Sequence, residues 1–402
     1  MKIKLYLILI LVFLIPSYFY SQTNDTLKST NEKKWFESIS LKGYVQTRYN
    51  RLFETNSKLK CEQCDKSWGE NGGIFLRRVR IAFYGQVYKN IYFYIQPEFA
   101  GSVSSTGLNF AQIRDAYFDI GIDSKNEFKF RIGQSKVPYG FENVQSSQIR
   151  IPLDRDDALN SGVPNERDQG VFFYWTPEKN KKLYNKIQKN GLKGSGDYGI
   201  FALGVYDGQS ANRPELNNNL HIVSRVTYPF EVGKQLLEIG LQGYSGKYIV
   251  NSDQMSTPTK YASKRSYEDK RVAASFILYP KPFGFQTEYN FGKGPQFDSK
   301  TDSIITAKLN GGYVMVNYLL KSGHQIFIPF IRYQYYHGGK KNELDSRYHE
   351  ISEGEIGIEW QQSKFFEFTA MYTLSNRKTE DYMLRNNFQS GRLLRLQAQV
   401  NF

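Results

Sequence analysis

The sequence has little of what most enzymes and helical membrane proteins are built from. Its 402 residues include only two cysteines, four histidines and four tryptophans. A membrane-spanning helix needs roughly 18 or more uncharged apolar residues in a row. The longest such run, Leu5 to Ile15, lies at the extreme N-terminus, and the next, Ile326 to Ile331, is far shorter. There is no G-x-S-x-G nucleophile elbow and no P-loop. His349-Glu-Ile-Ser-Glu353 ends in Glu where a zinc-protease motif needs its second His. No enzyme is expected, and nothing calls for a catalytic residue, a metal or a cofactor. Lys and Arg outnumber Asp and Glu by 53 to 39, but they are scattered rather than gathered among stacking aromatics, so no nucleic-acid partner is expected. What is abundant is tyrosine and phenylalanine, 30 and 29, in a chain whose mean hydropathy is only −0.54. So many aromatics argue against disorder. They point to a large all-β protein that is polar on average.

The N-terminus reads as an export signal. Lys2 and Lys4 precede the run Leu5 to Ile15, and small or polar residues follow Pro16. The expected signal peptide is 1–21, cleaved after Ser21, with a short periplasmic segment over 22–38 before the first strand. Phe19 departs from the small-x-small rule, which leaves neighbouring positions open as the cleavage site. In an exported protein, Cys61 and Cys64 in C-E-Q-C are expected to form a small surface disulfide.

After residue 38 the chain repeats runs of about ten residues with strict apolar–polar alternation, the mark of a strand with two different faces. Sixteen are expected, at 39–49, 74–88, 91–100, 110–122, 127–135, 169–176, 198–206, 221–229, 236–246, 271–279, 283–291, 310–319, 325–336, 353–361, 365–375 and 392–402. Short connections such as Lys89-Asn90 alternate with long polar ones such as 50–73, 136–168 and 247–270; only 177–197, long and Lys-rich, breaks the order. An even strand count with short turns at one end and long loops at the other describes an outer-membrane barrel. The fold class is therefore all-β: a transmembrane antiparallel β-barrel of about 16 strands over 39–402, in the outer membrane of a Gram-negative bacterium. Lipid meets the apolar face and the lumen meets the polar one.

At this point the residues resemble a known group. Arg131-Ile-Gly-Gln-Ser-Lys-Val-Pro-Tyr-Gly-Phe-Glu142 is similar to the strand-to-loop signature of the phosphate-selective porin O and P family. Arg114-Asp-Ala-Tyr-Phe-Asp119 and Arg167-Asp-Gln-Gly170 sit where that family has similar motifs, and Phe402 resembles the C-terminal signal read by the outer-membrane assembly machinery. The resemblance implies a water-filled channel for small anions and other hydrophilic solutes, usually a homotrimer, with anions moving along a basic ladder. It also gives 136–168 a meaning: as the third long external loop, it is expected to fold inward as the constriction. The charges of that loop are mixed, with Lys136, Arg150, Arg155 and Arg167 against Glu142, Asp156 and Asp168 among others.

Strand parity yields a census of the lumen. Basic residues expected to line it are Lys42, Arg48, Arg78, Arg80, Lys129, Arg131 and Arg225, all in the first half of the strands, against Glu98, Asp115 and Asp119 there. The second half contributes the acids Glu238, Glu288, Glu355, Glu359 and Glu367. This arrangement predicts a basic wall facing an acidic wall across the pore, hence a transverse field and a mild anion preference. Arg114 and Asp115 fall on opposite faces, which calls for a rim or a bulge; Arg77 is expected to face outward, towards lipopolysaccharide or the interface. The alternatives are a phosphate or pyrophosphate channel, which needs several Arg forks converging on one oxyanion, and a receptor or adhesin barrel built on its long loops.

Overall fold

The computed structural model describes residues 35–61, 68–69, 73–101 and 109–402. The expected signal peptide, nearly all of the 22–38 segment and Cys64 lie outside them, whereas Cys61 is disulfide-bonded. The strands are β1 (Ile39–Leu52), β2 (Ile74–Tyr88), β3 (Ile91–Gly101), β4 (Asn109–Gly121), β5 (Phe128–Lys136), β6 (Arg167–Trp175), β7 (Phe201–Tyr206) and β8 (His221–Val232). They continue as β9 (Gln235–Ile249), β10 (Ser266–Leu278), β11 (Phe283–Asp298), β12 (Ser303–Tyr318, resumed by Leu320–Ser322), β13 (Gln325–Gly339), β14 (Tyr348–Ser363), β15 (Phe366–Glu380) and β16 (Asn387–Asn401). The two pieces of β12 pair with the same neighbour, so the sheet is a closed antiparallel barrel of 16 strands. Closure is made by β16 against β1, and Phe402 and Gly43 exchange both backbone hydrogen bonds, at 2.8 and 3.0 Å.

All sixteen expected segments are strands. The differences lie at their outer ends: β10, β12, β14 and β16 begin at Ser266, Ser303, Tyr348 and Asn387, ahead of the expected 271, 310, 353 and 392. Alternation in sequence reports only the part of a strand that has lipid on one side. Backbone pairing continues beyond it, where water bathes both faces.

The outward face is apolar and open, as Leu41, Phe83, Ile95, Leu203, Leu241, Ile331 and Ile356 show. A soluble protein would bury these side chains; here the hydrocarbon core of the membrane does so. Near the short turns, Phe128 stacks on Trp175 and Phe327 on Trp360, an aromatic girdle at the periplasmic interface.

Two bulges alter the parity. The β1–β2 register passes from Gln46↔Arg78 to Thr47↔Leu76, so Arg77 is the extra residue. The β3–β4 register passes from Gln96↔Asp115 to Pro97↔Ile113, which leaves Arg114 over. Pro97 has no N–H to offer the ladder at that step. Arg114 and Asp115 consequently both point inward. Arg77 does so too, contrary to the outward position expected from strict alternation.

Three short elements lie inside or across the barrel: α1 (Phe141–Val144), α2 (Asp157–Asn160) and the longer α3 (Glu178–Lys189). The Lys-rich connection that broke the loop order is α3. Its lysines face solvent, while Asn180, Tyr184 and Ile187 form one buried stripe at helical spacing.

Candidate functional site

The barrel interior is divided by the segment between β5 and β6, which folds inward and docks mainly on β9–β15, with further contacts to Gln46 and Arg48 of β1 and to Phe172, Tyr206 and Val223 of β6–β8. Tyr139, Ala158, Leu159 and Val163 pack with Tyr244, Ala273, Leu309, Tyr336 and Ile351, on β9 to β14. Ile151 and Leu153 pack with Tyr313, Met315, Ile328, Phe330 and Met371. At the short-turn end, Phe141 joins Tyr184, Ile187 and Leu192, from α3 and the segment after it, against Leu236 and Ile277. The inward face of β9–β15 is thus a hydrophobic dock under a lid of loop and helix.

Polar contacts fasten the loop. Glu288 accepts the backbone N–H groups of Phe141 and Glu142 at 2.6 and 2.8 Å, placing a carboxylate at the start of α1. Arg332 donates to Glu355 (2.5 Å), Glu142 (3.0 Å) and the Asp154 carbonyl (3.0 Å). Arg377 bridges Glu353 and Asp157, Lys340 also reaches Asp157, and Asp154 takes Arg395 and Arg48. Arg271 donates to the Ala158 carbonyl and the Ser161 hydroxyl, and Asp156 caps α2 by accepting from Leu159.

Open space is left along the opposite side, chiefly beside β2 to β5. On the long-loop side a cleft of about 200 Å³ is lined by Arg77, Arg78, Arg114, Arg150 and Arg155 with Glu98, Asp154, Asp157 and Glu166. On the short-turn side a vestibule of about 970 Å³ is lined by eight cations, including Lys42, Lys129, Arg131 and Lys364, and four carboxylates. Between them the guanidinium groups of Arg80 and Arg114 meet Glu98, at 2.9 and 3.1 Å. Arg114, Arg155 and Arg167 meet Glu166 at 2.6–2.8 Å, and Arg167 also reaches Asp115. Burial would raise the Glu166 carboxyl, but Arg155, Arg114 and Arg167 outweigh it and hold the group well below the usual carboxylate range.

The profile of the family described as phosphate-selective porin O and P matches residues 60–402. The chain belongs to that family. It is an outer-membrane porin, a channel. No curated protein matches its sequence. Among solved structures, it is similar to OmpF of Salmonella typhi in complex with daunomycin, at a TM-score of 0.54 and 12% identity, over 90% of this chain and 97% of that one. It is also similar to the outer-membrane channel DcaP of Acinetobacter baumannii, at 0.53 and 12%, over 90% and 97%. OmpT of Vibrio cholerae in its trimer form follows at 0.52 and 10%, over 91% and 99%. At such identities these likenesses concern the barrel fold.

Within the porin, Arg48, Arg78, Arg80, Arg131 and Arg225 face inward and are buried, while Lys42 and Lys129 keep more of their surface in water. Arg225 is closed off against Glu238. The expected acidic wall is where the structure departs most from the sequence reading. Glu238, Glu288, Glu355 and Glu359 face inward but do not look across open water, because the loop and α3 cover them. Each meets a partner: Tyr279, the start of α1, Arg332 and Lys193 respectively. Only Glu367 of that set borders the vestibule. The transverse field between two bare walls therefore does not exist in this structure.

In the loop, Lys136 donates to the Val144 and Gln145 carbonyls, and Arg150 to those of Pro152 and Leu153. Asp168 accepts from the backbone of Gly208 and Ser210, tying in the next long loop. His349, from the near-miss zinc motif, pairs with Glu343, and among the described residues no group of side chains could hold a metal. Gly194, Gly196 and Gly199 match G-x-G-x-x-G, but they follow a helix and precede a strand, the reverse of a dinucleotide site.

Sequence reasoning missed Arg377, Lys340 and Trp68, which hold or cover the loop. It also missed the inward tyrosines of β2–β4. Parity alone would have found the tyrosines, since Tyr84 shares a face with Arg80, and Tyr117 with Asp115. For the dock, the signal was the run Ile326 to Ile331, apolar on both faces. Ile331 is open to lipid whereas Ile328 and Phe330 are buried against the loop.

Proposed function

We propose that this porin conducts small hydrophilic solutes along the β1–β6 wall with a preference for anions. The observation that carries this is asymmetry of cover. Glu238, Glu288, Glu355 and Glu359 of β9–β14 are paired and roofed by the loop and α3, while arginines and lysines of β2–β5 border the two open spaces. An ion following the open side meets an excess of positive charge, which raises local anion concentration. Lys136, Arg150, Arg155 and Arg167 then stand at the narrow part of the path, and 136–168 acts as the constriction.

A dedicated phosphate site is less well supported. The forks that phosphate would need are already filled, because Glu98 and Glu166 sit at the centre of the arginine cluster. Phosphate would have to displace carboxylates that are part of the wall. The porin is further proposed to work as a homotrimer, by analogy with the trimer form of OmpT. Phe402 is proposed to serve the assembly machinery before its backbone is locked against Gly43.

The test is the reversal potential of the reconstituted protein in a planar bilayer across a steep KCl gradient, followed by added phosphate. A reversal potential of the chloride sign with little phosphate block is the expected result. Cation selectivity would overturn the anion reading. Strong block of chloride current by dilute phosphate would mean that Glu98 and Glu166 yield to it, and the phosphate channel would be the better description.

A further inference from the structure

We propose that the periplasmic vestibule is a binding site for a sugar ring carrying an anionic substituent, a carboxylate or a phosphate. The inference deepens the porin reading by naming a ligand class, and it rests on that reading for the route by which the ligand arrives.

The first observation is a row of aromatic rings where a lumen wall needs none. Tyr84, Tyr94 and Tyr117 lie on the inward faces of β2, β3 and β4, with centroids 6.1 Å and 5.4 Å apart and the second pair nearly parallel at 16°. Tyr92 lies 6.4 Å from Tyr84, and Tyr198 meets the cavity beside them. These rings are only partly buried. In the same barrel, Tyr139, Tyr244 and Tyr336 are packed beneath the loop and almost wholly buried, which is how a space-filling tyrosine looks here. Tyr84 supports the row from behind, while Tyr92, Tyr94, Tyr117 and Tyr198 reach the cavity with part of each ring uncovered, which leaves apolar area free for a ligand face.

Charge is threaded through the row. Lys42 Nζ sits 4.6 Å from the centre of Tyr84, and the Arg131 guanidinium 3.9 Å from that of Tyr117. Arg131 is held by Asp119, but among the described residues neither Lys42 nor Lys364 at the vestibule rim has an ion-pair partner. The uncompensated Lys42 ammonium beside the ring row, with Lys364 over Phe365 at the rim of the same space, selects a ligand with an apolar face and a negative group.

The third observation separates sugars from aromatic acids. Gln86, Asn90, Asn126, Gln148, Gln361 and Asn401 line the same space. Gln86, Asn90, Gln148 and Gln361 each donate one N–H within the protein and Asn401 donates to two acceptors, so what is left to match an array of hydroxyl groups is the second N–H and the side-chain carbonyl of the first four. An aromatic acid would leave them unused, and inorganic phosphate would leave the rings unused. The volume, about 970 Å³, lies within the usual range for small-molecule sites, roughly 300–1,000 Å³.

The experiment is ligand block of KCl current through the reconstituted porin, with ligand added on the short-turn side. Glucuronate is expected to interrupt the current half-maximally at roughly millimolar concentration, and glucose about tenfold more weakly. Benzoate and phosphate at equal concentration should also fall below glucuronate. Glucose 6-phosphate run beside glucuronate decides which anionic group the site takes. Tyr117→Ala and Tyr94→Ala should each weaken glucuronate block about tenfold, the loss expected of one stacked ring. Lys42→Gln should narrow the gap between glucuronate and glucose. Glucuronate block no stronger than that of phosphate or benzoate overturns the proposal, as does block indifferent to both tyrosine variants. Should a variant fail to refold, the ranking of ligands on the wild-type channel still decides. A wild-type barrel that passes no KCl current refutes the porin reading alone. Calorimetric titration of the detergent-solubilised protein with the same ligands then judges the site: the same ranking upholds it, and no binding overturns it.

Discussion

The two sides of the barrel, β2–β5 and β9–β15, share one backbone geometry and one rule of alternation, yet most of the open space lies beside the first and most of the loop's apolar contacts lie on the second. On β9–β15 the inward positions include Tyr244, Ala273, Ile277, Met315, Ile328, Phe330 and Met371, and loop and helix cover them. On β2–β5 the inward positions are Arg, Asp, Gln and Tyr, and the space beside them stays open. A sixteen-stranded barrel is too wide for its own side chains to fill. Something must occupy part of it, and the apolar inward residues determine which part. An inward charge on the covered side holds the loop, while one on the open side acts on the solute.

Breaking the dock should have the largest effect. Arg332→Ala leaves Glu355 and Glu142 buried without their cation, a cost of about 3–5 kcal/mol for loss of one partner of a buried pair. The expected outcome is a loop released from the wall, seen as higher and noisier single-channel conductance and a lowered thermal midpoint. Unchanged conductance would mean that the hydrophobic dock alone suffices.

Charge changes on the two sides should then separate. Arg150→Gln, beside the external cleft, should move the reversal potential toward the cation side. Glu359→Gln, buried against Lys193, should leave the reversal potential within error and show itself in stability instead. Equal shifts from both variants would put the covered side back in contact with the permeating ions.

The smallest expected effect is that of pH. Because the folded-state pKa of Glu166 is depressed, its contribution to stability is fully present above the ordinary carboxylate value, about 4.3, and is lost only as pH falls through the lower folded value. Conductance and thermal midpoint at pH 5 should therefore match those at pH 7 as far as this group is concerned. A drop between pH 7 and pH 5 that Glu166→Gln removes would show that the arginines around Glu166 are not holding it; a drop that persists in the variant belongs to another buried carboxyl such as Asp168.

Much of this was legible in the sequence. Alternation gave each of the sixteen strands, because lipid on one side and water on the other impose a period of two on any strand between them. The motif around Arg131 to Glu142 marked the loop that folds inward. The two bulges were only half legible: Arg114 and Asp115 announced one by their conflict, while nothing local distinguished Arg77 from a lipid-facing residue. Parity could say that Glu355 and Glu359 point inward but not that a loop lies on them, because the partners come from segments some two hundred residues away.

The sequence by itself determined the compartment, the strand count and, away from the bulges at Arg77 and Arg114, which side chains turn toward the interior, since each follows from local pattern and the polarity of the two solvents. Only the tertiary structure decided which half of that interior is water. That choice depends on where residues 137–166 find matching apolar surface and opposite charge, as Leu153 does against Phe330 and Asp157 against Arg377. Contacts between distant segments have no period in the chain, and they appear only once the barrel has closed around them.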